Sequence, residues 1–278
     1  MYSKNMIQDQ EIMKAFASNF MGGIVWVHFK DHVMGEKRYQ LDRRINEFVT
    51  KIGEMSLKRH RTLKEGDVYY RARVGPDRNR RRKIGKTLEP LEPFKGMEMQ
   101  VPDFGQRRAG RANAKGIGFL YLSSKEVIAI AEVRPWKGAL VSVVEFSLVE
   151  DLKVVDLTSM LQEGKPIMWG DVPLEDLDPQ QFFNGLWAQI DVEFAKPQSP
   201  DDSDISYVPT QIIAEAFRGS EAKGIIYKSA ISDADGCNLV LFDESFAYQN
   251  KESAKIKEVV GINYKSVEFN ENFAKANL

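Results

Sequence analysis

The side chains that could carry chemistry in this sequence are two arginines, a tyrosine, a glutamate and a serine: Arg71, Arg111, Tyr121, Glu132 and Ser229. A guanidinium presents a planar fork of donors that suits phosphate oxygens, and a carboxylate stabilises positive charge that develops at a reacting carbon. Taken singly, each has an ordinary structural interpretation as a surface arginine, a solvated glutamate, a core aromatic residue or a serine in a turn. Any chemistry must therefore be argued from their order and spacing.

Three segments carry these residues in a characteristic order. The first is Tyr-Arg-Ala-Arg at 70–73. The second combines Gly-Arg-Ala-Asn at 110–113, Leu-Tyr-Leu-Ser at 120–123 and Ala-Ile-Ala-Glu-Val-Arg-Pro at 129–135. The third combines Tyr-Val-Pro-Thr-Gln at 207–211 with apolar runs at 224–229 and 238–242. Over roughly residues 65–245, the chain resembles the RES domain, a family named for its Arg, Glu and Ser, and the middle segment is the most specific part of the match.

The resemblance implies an α+β fold with an ADP-ribosyltransferase-like split β-sheet core, to which this chain adds a helical N-terminal extension. It also implies that NAD is bound as a substrate and that its nicotinamide–ribose bond is broken. Some members of the family release ADP-ribose by hydrolysis or phosphorolysis, and others modify a protein. Many are toxins held inactive by an antitoxin with a helix-turn-helix domain, so NAD, such an antitoxin and a protein target are the expected partners.

The family's catalytic positions match Arg71, Glu132 and Ser229 of this chain. The side chains expected to contact NAD are Arg71, Arg111, Asn113, Tyr121 and Asn238. The two arginines match positions that bind the pyrophosphate. Glu132 is expected to stabilise the oxocarbenium-like ribose or to orient a ribose hydroxyl. Tyr121 is expected to stack on nicotinamide or to hydrogen-bond its edge, while Ser229 and Asn238 contact the amide and the ribose.

Three functions remain open at this point. The first is an NAD-degrading enzyme that acts as a toxin or defence effector, with water or phosphate as the acceptor. The second is an ADP-ribosyltransferase that modifies a protein. The third is a catalytically silent binding module, which the intact set of polar residues disfavours.

Three further signals favour structural interpretations. Arg-Asn-Arg-Arg-Arg-Lys at 78–83 resembles a nucleic-acid patch, but a solvated loop is favoured because the formal net charge of the chain is only −1. His28 and His32 have a helical metal-ligand spacing without a third ligand, so we expect no metal site. Cys237 begins an apolar run, which favours a buried strand residue over a nucleophile.

Hydrophobic periodicity predicts the elements that must position these residues. Helices are expected across much of 1–60, and at 125–133, 179–194 and 210–217, and strands at 69–74, 117–122, 139–149, 152–157, 224–229 and 238–242. Ser123 followed by Glu126 matches a capping box at the start of the second of these helices. Residues 75–106 show no clear periodicity and are interpreted as a lid or as a misread segment.

The composition is that of a soluble globular protein, with 43% hydrophobic and 28% charged residues. The single cysteine favours a reducing compartment, and no run is long and apolar enough to span a bilayer. We therefore expect a cytoplasmic protein with no membrane and no direct nucleic-acid partner. Residues 1–62 are predicted to form a helical extension or cap, and 63–278 a RES domain with insertions at about 75–106 and 158–204.

Overall fold

The computed structural model describes residues 25–35, 38–76, 83–84, 87–88, 90–158, 179–197, 204–231, 234–264 and 266. Within these ranges the helices are α1 Val25–Met34, α2 Arg43–Ser56, α3 Glu126–Glu132, α4 Pro179–Ala195 and α5 Val208–Gly219. The strands are β1 His60–Leu63, β2 Val68–Val74, β3 Lys83–Ile84, β4 Thr87–Leu88, β5 Leu120–Ser123, β6 Leu140–Leu148, β7 Leu152–Leu157, β8 Gly224–Lys228, β9 Cys237–Leu241 and β10 Ala247–Glu258.

Eight of these strands form one mixed sheet in the order β1-β7-β8-β9-β5-β2-β6-β10, and β3 pairs with β4 as a separate hairpin. β7 and β8 are parallel, and a crossover containing α4 and α5 connects them, as a parallel pair requires. The other neighbouring strands are antiparallel. Between β5 and β2 the pairing narrows to Tyr70 opposite Ser123. The expected α+β class is confirmed, and the sheet is nearly divided at this junction.

The sheet is covered on both faces, which explains why its central strands are continuously apolar. Along β8, Ile225 and Tyr227 enter one core cluster while Ile226 enters the other. In β9, Val240 and Leu241 divide in the same way. Successive side chains of a strand point to opposite faces, so a strand buried on both sides needs apolar residues at every position.

The described N-terminal helices belong to the first of these cores. Phe29 of α1 packs against Phe48 of α2, with ring centroids 5.2 Å apart, and both lie in one buried cluster with Phe217 of α5. α2 begins at an N-cap formed by Asp42, whose side chain accepts a hydrogen bond from the backbone N–H of Ile45 at 2.8 Å. The division of the chain at residue 62 stays a prediction, as does the further structure of residues 1–24, which lie outside the described ranges.

α4 lies inside the range that the sequence suggested as an insertion at 158–204. Its apolar face is buried as the spacing predicted, through Phe183, Leu186, Trp187, Ile190 and Phe194. The fully buried Asp191 forms two hydrogen bonds to the guanidinium of Arg59, at 3.1 and 3.2 Å. α4 therefore helps build the core, whereas residues 159–178 lie outside the described part of the chain.

The segment at 94–101 covers the second core. The backbone N–H of Phe94 donates to Ser142 Oγ at 2.9 Å, and Gly96 exchanges two hydrogen bonds with the side chain of Gln249. Met99 is completely buried in the same cluster as Tyr69 and Leu122. This part of 75–106 is thus fastened across the sheet by polar contacts and by one buried apolar side chain. The basic residues at 78–82 lie outside the described ranges.

The predicted capping box is wrong. Ser123 is the last residue of β5, and the N-cap position of α3 is Lys125, which makes no side-chain capping bond. Ser123 Oγ donates instead to Asn238 Oδ1 at 2.8 Å, and the carboxylate of Glu126 pairs with Lys255 and Lys257. Both side chains have stronger tertiary partners than the local backbone donors that a capping box would satisfy.

β10 was not predicted from the sequence. It pairs antiparallel with β6 and is interrupted by an irregularity between Asn250 and Lys255. Its sequence is polar and rich in lysine because it forms an edge of the sheet, where charged residues discourage pairing with other chains. Such a strand lacks the apolar alternation on which the prediction relied.

Two further observations concern membrane-spanning helices and metal ligands. Over the described residues, no helix combines the length and the apolar character needed to cross a bilayer. The same part of the chain contains no group of three or more side chains able to hold a metal ion, and His32 Nε2 lies 3.1 Å from the carbonyl oxygen of Gln40.

Truncation of Met99 tests whether the 94–101 segment stabilises the sheet. We expect Met99→Ala to lower the free energy of unfolding by about 2–4 kcal/mol, because it removes a fully buried side chain and leaves a cavity. Met97, two residues earlier and 78% exposed, is the matched control, and Met97→Ala should be nearly neutral. Urea denaturation measures both, and equal effects of the two substitutions would contradict this account.

Candidate active site

A cleft of about 300 Å³ opens where the sheet narrows between β2 and β5. β2, β5, β8, β9 and α3 supply its walls, so residues from distant parts of the sequence meet there. The lining side chains are Tyr70, Arg71, Ala72, Tyr121, Leu122, Ser123, Ala129, Glu132, Val133, Tyr227 and Asn238. We call this space the junction cleft.

Glu132 lies at the last residue of α3, and two side chains hold one of its carboxylate oxygens. Ser229 Oγ and Asn238 Nδ2 donate to Oε1 at 2.8 and 2.6 Å. The two donors come from neighbouring parts of the sheet, since Ser229 follows β8 and Asn238 lies in β9. No described residue donates to the second oxygen, Oε2. The carboxylate is thus fixed through one oxygen, and the other has no donor among the described residues.

Arg71 brings a positive charge to the same cleft. Its Nη1 atom is buried without a hydrogen-bond partner, and burial lowers the pKa of the guanidinium to about 10, so the group stays charged at neutral pH. Arg71 forms no ion pair within the described ranges, and the attraction of the Glu244 carboxylate only partly offsets the lowering of its pKa by burial. A buried polar atom without a hydrogen-bond partner is costly, so Nη1 of Arg71 is suited to donate to an anionic ligand.

Arg111 lies beside the cleft and does not line it. Its Nη1 donates to the backbone oxygen of Glu193 in α4 at 2.9 Å, and its guanidinium carbon lies 5.8 Å from the ring centroid of Tyr227. The loop at 110–113 is held against α5 by Thr210, which donates to the carbonyl of Arg111, and by Gln211, which donates to the carbonyls of Gly110 and Asn113. These contacts join the Tyr-Val-Pro-Thr-Gln segment to the Gly-Arg-Ala-Asn segment in this chain.

The hydroxyl of Tyr121 and the amide of Asn113 are occupied within the protein. Tyr121 Oη donates to Asn113 Oδ1 at 2.5 Å and accepts from the backbone N–H of Ala112 at 3.1 Å. Asn113 Nδ2 donates to three backbone carbonyls of its own loop. A Cβ atom at Gly110 would lie 2.7 Å from both Asn113 Oδ1 and Tyr121 Oη, so only glycine fits there. Tyr121 therefore offers its ring to the cleft, and Asn113 shapes the loop from inside.

The structure brings together four of the seven predicted site residues as lining of the junction cleft: Arg71, Tyr121, Glu132 and Asn238. Ser229 joins them through its hydrogen bond to Glu132, while Arg111 and Asn113 lie behind the wall. Three polar lining residues were not predicted as site residues: Tyr70, Ser123, which the sequence suggested as a helix cap, and Tyr227. All three stand inside the segments that carried the resemblance, next to or near Arg71, Tyr121 and Ser229.

Cys237 matches the expectation of a structural strand residue. It is half-buried in β9 without a disulfide partner, and burial raises the pKa of its thiol. A raised pKa keeps the thiol protonated at neutral pH and makes it a poor nucleophile.

The contacts of Tyr121 predict that its hydroxyl stabilises the fold. Tyr121→Phe would leave the Ala112 N–H and Asn113 Oδ1 without their partner, so we expect the free energy of unfolding to fall by about 1–3 kcal/mol. Tyr248→Phe is the control, because Tyr248 is 66% exposed, and should have no measurable effect. Thermal or urea denaturation of the two variants provides the measurement, and a fully stable Tyr121→Phe protein would contradict the structural role.

Comparison with known proteins identifies the family. No curated protein matches the chain. Among solved structures, a chain of the M. tuberculosis MbcT–MbcA toxin–antitoxin complex is similar at 15% identity, with 74% of this chain and 89% of that chain covered and a TM-score of 0.38. The RES domain model matches residues 91–259, a range that holds Glu132, Ser229 and Asn238 and begins after Arg71. Because this match spans more than half of the chain, the protein belongs to the RES-domain family.

Proposed function

We propose that this RES-domain protein binds NAD in the junction cleft and breaks its nicotinamide–ribose bond. The observation that carries the proposal is the state of Glu132: Oε1 is held by Ser229 and Asn238, while Oε2 has no partner among the described residues. Such a preorganised carboxylate stabilises positive charge without having to reorient during the reaction.

The chemistry of bond cleavage fits this arrangement. When the glycosidic bond breaks, its electron pair leaves with the pyridinium nitrogen, so that nicotinamide departs neutral and positive charge develops on the ribose. Glu132 Oε2 would stabilise that charge or orient a ribose hydroxyl. Water or phosphate then adds to the ribose carbon and releases a proton. Ser229 directs its hydroxyl proton to Glu132, so we assign it to holding the carboxylate.

The rest of the cleft suits the remaining parts of NAD. The guanidinium of Arg71 would bind a phosphate oxygen, which gives Nη1 the hydrogen-bond partner that it lacks within the protein. The rings of Tyr121 and Tyr227 offer flat apolar surface for nicotinamide. A volume of about 300 Å³ is at the small end for ligand sites, so the nicotinamide–ribose half would be enclosed and the adenosine half would extend outward.

Membership of the RES-domain family also supports a proposal about the biological role of the protein. We infer that the protein is an NAD-consuming toxin of a toxin–antitoxin or defence system, that it acts in the cytoplasm and that an antitoxin restrains it. Transfer of ADP-ribose to a protein is the alternative, and the acceptor then replaces water or phosphate. Both activities use the same cleavage step and the same Glu132.

Glu132→Gln is the sharpest test of the reaction. Glutamine keeps an oxygen for the Ser229 and Asn238 donors and replaces only the free oxygen with a neutral NH₂ group, so we expect nicotinamide release to fall by at least about 100-fold with the fold intact. Purified protein is incubated with NAD, with and without phosphate, and the products are separated by chromatography. Free ADP-ribose would indicate hydrolysis, and its 1-phosphate would indicate phosphorolysis.

Glu126→Gln is the matched control on the same helix, because Glu126 pairs with Lys255 and Lys257 and does not line the cleft. It should release nicotinamide at the wild-type rate. Equal activity of the Glu132→Gln and wild-type proteins would refute the assignment. If the wild-type protein releases nicotinamide only when a cell extract supplies an acceptor, the transferase alternative is favoured.

Arg71→Met separates binding from stability. Methionine retains much of the apolar stem and removes a buried charge, so we expect the free energy of unfolding to rise by about 1–3 kcal/mol. The KM for NAD should rise by roughly 10- to 100-fold, because a charge-assisted contact to phosphate is lost. Calorimetry and steady-state kinetics measure the two effects.

Arg73→Met serves as the control on the same strand, since Arg73 donates to the Glu98 carbonyl at 2.7 Å and lies outside the cleft lining. Its KM should stay at the wild-type value. An Arg71→Met protein that is less stable and has an unchanged KM would show that the guanidinium has a structural role instead.

A further inference from the structure

Ser123 connects the narrow junction of the sheet to the carboxylate of Glu132. Its hydroxyl donates to Asn238 Oδ1 at 2.8 Å, and the amide of Asn238 donates in turn to Glu132 Oε1 at 2.6 Å. We propose that Ser123 is a positioning residue that acts on Glu132 through Asn238. The catalytic consequence of this inference rests on the proposed NAD-cleaving function, whereas the coupling between Ser123 and Asn238 does not.

The orientation of the Asn238 amide follows from its two neighbours. An ionised carboxylate only accepts hydrogen bonds, so Nδ2 must face Glu132 and Oδ1 must face Ser123. The Ser123 hydroxyl must then be the donor. Ser123 and Asn238 are each only 4% exposed, which leaves little access for water as a substitute partner. The hydroxyl proton of Ser123 and the amide proton of Asn238 that faces Glu132 therefore each have one favourable position.

The backbone of Ser123 is fixed by strand pairing on both sides, which holds its side chain in place. Ser123 lies opposite Asn238 in the pairing of β5 with β9, and opposite Tyr70 in the narrow pairing of β5 with β2. Tyr70 precedes Arg71 in β2. One residue thus joins the strand that carries the proposed phosphate-binding arginine to the side chains that hold the proposed catalytic carboxylate.

Loss of the Ser123 hydroxyl would leave Asn238 Oδ1 buried without a donor and would remove one of the two anchors of the amide. Asn238 would then hold Glu132 Oε1 in a less defined position, while Arg71 and the aromatic rings would still bind NAD. We expect Ser123→Ala to lower kcat by roughly 10-fold with little change in KM, since one neutral hydrogen bond is worth about a factor of ten.

The test is a double-mutant cycle with Ser123→Ala, Asn238→Ala and the combined variant, measured by nicotinamide release. If Ser123 acts only through Asn238, the combined variant should be no slower than Asn238→Ala alone. Ser124→Ala is the matched control, because Ser124 Oγ accepts from the Cys237 backbone N–H at 3.0 Å and the Ser123–Asn238–Glu132 hydrogen bonds do not involve it. It should leave kcat unchanged and should show no coupling to Asn238→Ala.

Two results would overturn the inference. One is a wild-type kcat in a folded Ser123→Ala protein, and the other is a combined variant whose loss is the product of the two single losses. If the wild-type protein releases no nicotinamide, the proposed function fails and the same cycle is measured by urea denaturation. Ser123→Ala should then shift the unfolding midpoint less when Asn238 is already alanine, and an equal shift in both backgrounds would overturn the positioning role.

Discussion

The two hydrogen bonds accepted by Glu132 Oε1 connect the short helix α3 to two strands that lie far away in the sequence. They require that β8 and β9 be adjacent, that β9 pair with β5, and that α3 end at Glu132 over the end of these strands. A small shift in any of these pairings would remove a donor from the carboxylate. The geometry of the candidate site therefore depends on the order of the central strands.

Arg71 has a buried polar atom that the fold leaves without a hydrogen bond, which costs stability. Arg71 follows Tyr70, which forms the narrow pairing of β2 with β5, and its buried Nη1 atom has no hydrogen-bond partner. Arg71 lines the junction cleft together with the aromatic residues Tyr70, Tyr121 and Tyr227. Stability lost at such positions is commonly linked to function, because a group that is satisfied within the protein is less available for binding.

The walls of the cleft are held by contacts that do not themselves face the ligand. Asn113, Tyr121 and Gln211 connect the 110–113 loop to β5 and α5, and Arg111 connects it to α4. Several motif residues of this chain therefore shape the wall of the cleft and do not line it. Arg59 and Asp191 lie outside the cleft lining, and their hydrogen bonds attach α4 to the residue that precedes β1.

The sequence by itself determined the class of the fold, most of its strands and helices, and the residues around which the site is built. These features depend on local patterns: apolar runs for strands buried on both faces, helical spacing for α4, and the order of Arg71, Glu132 and Ser229. Only the tertiary structure decided that Ser123 bonds Asn238 instead of capping α3, that Asn113 lies inside the wall, and that the polar segment 247–258 is a strand. The physical reason is the distance along the chain between partners, since Glu132 and Asn238 are 106 residues apart and Ser123 and Asn238 are 115 apart. A local pattern reports which residues tend to be buried, and only the packed sheet shows which buried polar groups satisfy one another.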